Sequence, residues 1–359
     1  MFEFLNTWLA NGGFWVAIPL IIIGCAALIK GADFLVDGAS ALAKKYGVSD
    51  IVIGLTVVAF GTSMPEFVVN MVAVAQGSTE IAITNVLGSN IINIFVILGC
   101  TALIFPISSQ KSTRRFDIPF SLLAALLVLL FAVYNSPSWL QIEHIFNMNI
   151  ADPTLSDLGS IQMGQGNGGF ISGVGGSILL IFFLIFLWHN FKGIGSAPQT
   201  ESNEEYKPMS AKRALALIIG GLVGLVVGGE LIVKSATSIA QSLGVSDAII
   251  GLTVVALGTS LPELATSCMA AFKKNCDIAL GNVIGSNLFN IFFILGTSAC
   301  VKALPGYHGL EIDALMAALG SVLVMLFVYL TKKHEIKRWH GAILLLTYAA
   351  YLTYRIITV

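Results

Sequence analysis

Long uninterrupted apolar blocks dominate the chain, separated by short polar stretches where glycine, proline and charged residues gather. A hydrocarbon layer about 30 Å thick takes roughly 20 apolar residues of helix. On that measure the blocks predict ten helices, over 14–43, 50–75, 81–105, 117–134, 171–190, 213–242, 248–272, 278–301, 312–331 and 341–358. Blocks this continuous exclude a membrane β-barrel, whose segments of roughly ten residues alternate in polarity. The first and sixth blocks are over-long and amphipathic in their second halves, which predicts strong tilt or sliding along their neighbours. Met1-Phe2-Glu3-Phe4 carries no basic residue, so the first helix reads as retained rather than as a cleaved leader.

The polar segments orient the helices. With the N-terminus outside, 15 of the 19 basic residues fall in cytoplasmic segments, around Lys44, Arg114, Lys192, Lys207, Lys273 and Lys333. Both termini are then expected to be extracytoplasmic. The segment 135–170 lies outside and reads as a solvated connector; its Glu143, His144, Asp152 and Asp157 raise a calcium-binding loop as the other reading. Residues 191–212, with Pro198, Pro208 and the run Glu201 to Glu205, read as a cytoplasmic linker. The expected organisation is a first repeat over 1–134, the outer loop, a fifth helix over 171–190, the linker, and a second repeat over 213–359.

Composition agrees. The 359 residues are 56% apolar and 11% charged, with mean hydropathy +0.87, against about 45–50% and 25% in soluble domains. A net charge of −1 leaves no basic footprint for nucleic acid. Cys25, Cys100, Cys268, Cys276 and Cys300 form no CxxC pair and have no histidine at ligand spacing, so neither a disulfide framework nor a zinc site is expected. No obligate protein partner is indicated.

One stretch of sequence is written twice. Residues 47–63, GVSDIVIGLTVVAFGTS, and 244–260, GVSDAIIGLTVVALGTS, are identical at 14 of 17 positions. The same offset of 197 aligns 85–99 with 282–296, identical at 11 of 15. Five spans per half is odd, so the two halves must be inverted relative to one another. Inverted repeats with interrupted helices meeting near the midplane are the layout of secondary transporters.

The duplicated residues carry the chemistry. Glu66 and Glu263 sit mid-span, where a charge costs at least about 2.5–3.5 kcal/mol and so faces a cavity or a partner. Ala59, Thr62, Ser63 and Glu66 share one helix face, as do Ala256, Thr259, Ser260 and Glu263. Pro65 and Pro262 are expected to open their helices near Gly61 and Gly258, freeing carbonyls as ligands. Asn85, Ser89 and Asn93 form a polar stripe, repeated by Asn282, Ser286 and Asn290, and Gly88 and Gly285 let backbones approach beside it. The first residue of each stripe also suits helix–helix bonding. Carboxylates, hydroxyls, amides and carbonyls without His or Cys suit a hard cation: one calcium, or sodium ions sharing its oxygens.

GTSMPE at 61–66, GTSLPE at 258–263 and the GSNxxN segments at 88–93 and 285–290 resemble the alpha repeats of the cation/calcium exchanger superfamily. The chain is similar to prokaryotic sodium/calcium exchangers over nearly all its length, apart from loop 135–170 and the linker. The resemblance implies an all-α polytopic membrane protein of ten transmembrane helices that exchanges Na+ for Ca2+, with no cofactor. It further implies that Glu66 and Glu263 bind calcium, helped by the carbonyls of Thr62 and Thr259. Ser63, Ser260, Ser89 and Ser286 would complete sodium sites with the carbonyls of Ala59 and Ala256. Asn93 and Asn290 match a further motif position where some relatives carry Asp in the second repeat. The first and sixth helices would slide across the core to alternate access.

The alternatives are a proton- or potassium-coupled calcium exchanger of the same fold, an ion channel, and an intramembrane hydrolase using the two glutamates. No nucleophile or histidine lies near the pair, which disfavours the last. The short linker favours a prokaryotic plasma membrane.

Overall fold

The computed structural model describes residues 3–134, 171–192, 209–244, 256–307 and 309–358. The first part of the 248–272 block, loop 135–170 and most of the linker lie outside the described residues. The principal helices are α1 (Glu3–Tyr46, kinked at the non-helical Gly13), α2 (Asp50–Thr62), α3 (Met64–Ala75), α4 (Thr79–Ile104), α5 (Asp117–Tyr134), α6 (Gly173–Lys192), α7 (Ala211–Ser242), α8 (Ala256–Thr259), α9 (Leu261–Phe272), α10 (Cys276–Val301), α11 (Leu310–Leu330) and α12 (Arg338–Thr358). Among the described residues seven helices are long and apolar enough to cross a membrane, or eight if the bent pair α2–α3 is one span. α12 has the length, but Arg338, His340, three tyrosines and Arg355 dilute its apolar character.

α4 and α10 form the centre. Nearly the whole of α10 is buried, and Phe95, Phe292, Leu98 and Leu295 stand fully inside. Around this centre the helices expose aliphatic and aromatic side chains such as Ile22, Leu184, Val223 and Leu346, as expected where lipid replaces water. Two short backbone pairings tie loops together. Ile107 and Ser108 pair antiparallel with Ile336 and Glu335, joining the α4–α5 and α11–α12 connections. Ile171 bridges Leu304 across two 3.0 Å bonds, joining the start of α6 to the α10–α11 connection.

α1 and α7, the two over-long blocks, pack against each other. A Cβ on Gly31 would lie 2.7 Å from the Gly221 carbonyl oxygen, and one on Gly221 would lie 2.7 Å from that of Gly31. Gly24 stands in the same relation to Gly228, and Gly38 to Ala214, so the small residues recur every seventh position and the helices run antiparallel. Backbone approach of this kind maximises dispersion contact where no hydrophobic force drives helices together. α1 is further held at its C-terminal half by Lys273, whose Nζ lies 2.6 Å from both Asp33 Oδ1 and Asp37 Oδ1. Beside it Asn275 donates to Asp50 Oδ2 at 2.8 Å and to Ser40 Oγ at 3.2 Å.

Candidate cation-binding site

Two broken helices carry the glutamates. α2 ends at Thr62 and α3 starts at Met64, bent by 45° about Ser63, whose backbone (φ −86°, ψ 7°) leaves the helix. Ser260 has nearly the same angles, −90° and 5°, between α8 and α9. Pro65 and Pro262 stand in the first turn of α3 and α9, where a missing N–H costs least. The breaks therefore fall at the serines, two residues beyond the expected Gly61 and Gly258. Proline starts the second segment here instead of kinking a continuous one. The Ala59 carbonyl is engaged by Ser63 N–H at 3.0 Å and by Thr62 Oγ1 at 3.3 Å, so it is less open than the sequence suggests.

Glu66 and Glu263 are each about 1% exposed, and Thr62, Ser63, Ser260, Ser89, Ser286, Asn93 and Asn290 are buried with them. Ser63 donates to Glu263 Oε1 at 2.8 Å, and Thr62 Oγ1 lies 3.1 Å from Asn282 Oδ1, so the first break meets the second repeat directly. Asn282 Nδ2 also donates to the Glu263 carbonyl at 3.2 Å and to Ser267 Oγ at 2.9 Å. Its counterpart Asn85 donates to the Glu66 carbonyl at 3.5 Å and to Asn70 Oδ1 at 2.6 Å. Asn85 and Asn282 thus bind each half-helix to its neighbour. Gly285 admits α2 closely, since a Cβ there would lie 2.6 Å from the Leu55 carbonyl oxygen. Gly88 has nothing within 4 Å among the described residues; the segment repeat-related to Leu55 lies outside them. For Ala256 and Thr259 the structure describes the α8 backbone that leads into the break.

Six buried oxygens of these residues have no hydrogen-bond partner among the described residues: Glu66 Oε2, Glu263 Oε2, Ser260 Oγ, Ser286 Oγ, Asn93 Oδ1 and Asn290 Oδ1. Orphaned buried polar atoms are rare and call for an unseen partner. These are acceptors or hydroxyls, two of them carboxylate, and no ion pair to either glutamate exists among the described residues. Burial of two carboxylates without a basic partner is costly unless a cation joins them. An all-oxygen donor set of this size matches a hard cation.

Asn90 and Asn287 belong to the GSNxxN motifs but lie off the four-residue stripe, so the sequence pattern assigns them no role of their own. In the structure they are buried between α4 and α10 and bonded to Asn93 and Asn290. Both helices widen there into turns bonded i to i+5, over Asn93–Leu98 and Phe289–Leu295, a feature frequent at functional sites. Asn70, Ser267, Thr266 and Ser235 are further buried polar groups nearby in sequence to the site helices. Asn70 and Ser267 are repeat-related, a signal that the offset of 197 could have supplied.

Fold and site together define an all-helical polytopic membrane protein with a cluster of cation-type oxygen donors at its centre. The sequence profile of the sodium/calcium exchanger protein family matches residues 16–192 and 213–357, and the chain belongs to that family. It is 33% identical over 351 residues to the sodium/calcium exchanger MaX1 of Methanosarcina acetivorans, covering 93% of this chain and 96% of that one. It is 32% identical over 302 residues to the inner membrane protein YrbG of Escherichia coli, covering 84% and 82%. Among solved structures it is similar to the sodium-calcium exchanger NCX_Mj, with a TM-score of 0.73 and 32% identity over 94% of this chain and 98% of that one.

Proposed function

We propose that this protein exchanges Na+ for Ca2+ across a cell inner membrane by alternating access, without a cofactor. The observation that carries the reading is the set of six buried oxygens without a hydrogen-bond partner among the described residues, two of them on Glu66 and Glu263. The two carboxylates balance one Ca2+, or Na+ ions that share the same oxygens, and mutually exclusive occupancy of one site is what couples the two fluxes. Glu66 and Glu263 take the calcium, with the carbonyls of Thr62 and Thr259. Ser63, Ser260, Ser89 and Ser286, the carbonyls of Ala59 and Ala256, and the amides of Asn93 and Asn290 complete the sodium positions.

In this reading ten spans form two inverted halves, with both termini extracytoplasmic. The loop pairings support it. The 107–108 and 335–336 segments, and the Lys273–Asn275 turn with the C-terminal half of α1, all belong to the basic, cytoplasmic side. Ile171 and Leu304 join two segments assigned to the opposite side. There too Tyr307 and Tyr351 donate to Asp313, at 2.6 and 2.8 Å. Burial and the Asp313 carboxylate hold the Tyr307 phenol well above its ordinary pKa, so it stays a donor.

The test is calcium uptake into vesicles holding the purified protein, driven by an outward Na+ gradient. Uptake that collapses when Na+ is replaced by choline supports the reading. Uptake driven equally by a proton or K+ gradient overturns it.

A further inference from the structure

We propose that Asn90 and Asn287 are positioning residues which lock the side-chain amides of Asn290 and Asn93 with their oxygens, not their nitrogens, turned to the transported cation. The inference rests on the cation site described above and adds a determinant to it.

An amide side chain has two ends of nearly equal size and opposite polarity. Only the oxygen can ligate a cation, so an unanchored Asn would present an N–H donor to it in one of two orientations. The anchor here is the main chain, because a backbone carbonyl can only accept. Asn90 Nδ2 donates to the Asn287 carbonyl at 3.2 Å, and Asn287 Nδ2 donates to the Asn90 carbonyl at 3.4 Å. Those two bonds settle which end of each amide is nitrogen. The remaining ends are acceptors: Asn290 Nδ2 donates to Asn90 Oδ1 at 3.1 Å, and Asn93 Nδ2 donates to Asn287 Oδ1 at 3.0 Å. With their nitrogens held toward Asn287 and Asn90 by these bonds, Asn93 and Asn290 turn Oδ1 the other way. Both of those oxygens are buried and unpartnered.

The arrangement crosses between the repeats. Asn90 of α4 orients Asn290 of α10, and Asn287 of α10 orients Asn93 of α4, related by the offset of 197. All four side chains are at most 3% exposed, so water cannot substitute for a lost partner. The same reciprocity explains why position and polarity matter at Asn90 and Asn287 although neither offers a free oxygen.

The experiment measures equilibrium Ca2+ affinity by titration calorimetry on the purified full-length protein, checked for a single species by size exclusion. Asn90→Ala is expected to weaken Ca2+ binding about tenfold, near the upper range for one neutral hydrogen bond. The decisive comparison is with Asn290→Asp, whose carboxylate presents oxygen in either orientation and has no N–H to donate to Asn90. In that background Asn90→Ala should cost no more than about twofold, because no amide is left to misorient and an oxygen–oxygen repulsion is relieved. Asn287→Ala should behave likewise against Asn93→Asp. Near-isosteric Asn90→Leu, which fills the space and offers no acceptor, carries the same expectations if the alanine variant aggregates. Equal losses in both backgrounds, or no loss in the wild-type background, overturn the proposal. Glu263→Gln serves as the control on the site. If it abolishes binding while Asn90→Ala does nothing, the inference fails alone; if it binds Ca2+ normally, the site itself is misassigned.

Discussion

Ser63 of the first repeat donates its hydroxyl to Glu263 of the second at 2.8 Å, whereas Ser260, the repeat-related serine, is buried with an unpartnered Oγ. The two halves of the site are therefore not chemically equal in this arrangement. Ser63→Ala leaves a carboxylate oxygen without its donor in a buried setting, a loss of about 1–3 kcal/mol. It should lower the thermal unfolding midpoint of the ion-free protein and weaken Ca2+ activation of uptake about tenfold. Ser260→Ala removes no bond of the hydroxyl among the described residues, so its ion-free midpoint should match wild type while its Na+ dependence shifts. Thermal scans of both variants with and without ions check this.

Glu66→Gln and Glu263→Gln should each reduce Na+-driven Ca2+ uptake to background while the protein still elutes as a single species. Each replaces one of the two buried carboxylates whose Oε2 atoms are without a partner among the described residues, leaving too little charge to balance a divalent ion. Uptake within about threefold of wild type in either variant would remove that residue from the site.

Neighbouring glycines on α7 should respond oppositely to one added methyl. A Cβ on Gly221 would sit 2.7 Å from Gly31 O and Leu35 N, both main chain, whereas one on Gly220 meets nothing within 4 Å. Gly221→Ala is expected to force α1 and α7 apart and cost stability and uptake. Gly220→Ala should be neutral or raise stability by up to about 1 kcal/mol, the helix preference of Ala over Gly. Detergent unfolding midpoints and initial uptake rates of the two variants give the comparison.

Tyr46 ends α1 and Leu243 directly follows α7; they are 61% and 68% exposed. Single cysteines at the two positions, in a background without the native five, should react with a membrane-impermeant maleimide from opposite faces of the membrane. Tyr46→Cys is expected to label from the cytoplasm and Leu243→Cys from outside. Labelling of both from one face would end the inverted arrangement.

Much of the site is legible in the sequence because it is written twice. Glu66 with Glu263, Ser89 with Ser286, and Asn93 with Asn290 stand out by identity at one fixed offset and by polarity inside apolar blocks. What periodicity cannot supply is which copy touches which. The Ser63–Glu263 and Asn90–Asn290 bonds cross between halves some 200 residues apart, and no local rule ranks such contacts. Asn90 and Asn287 repeat at the same offset but follow Ser89 and Ser286 by one residue, which turns them off the stripe's face; the i to i+5 turns that follow have no local signature. Gly24, Gly31 and Gly38 show seven-residue spacing, yet only coordinates reveal that Gly228, Gly221 and Ala214 receive them. Thr266 and Ser235 are buried polar residues whose offset partners are Val69 and Gly38, so duplication offered no hint of them.

The grip of Lys273 on Asp33 and Asp37 has a further consequence. An internally duplicated chain would, from duplication alone, weight equally two arrangements related by exchange of its halves. Lys273 corresponds to Gln76 in the other half, and Asp33 and Asp37 to Glu230 and Lys234, which pair with each other along α7 at 3.3 Å. The ion pairs reaching α1 thus weigh on one arrangement and have no like-for-like counterpart on the other. Half-exposed pairs of this kind contribute up to about 1 kcal/mol each, enough to tilt a balanced pair of states roughly fivefold. Such a tilt fades as salt screens it, so under the proposed alternating access the resting orientation would depend on the ionic strength of the solution bathing one face.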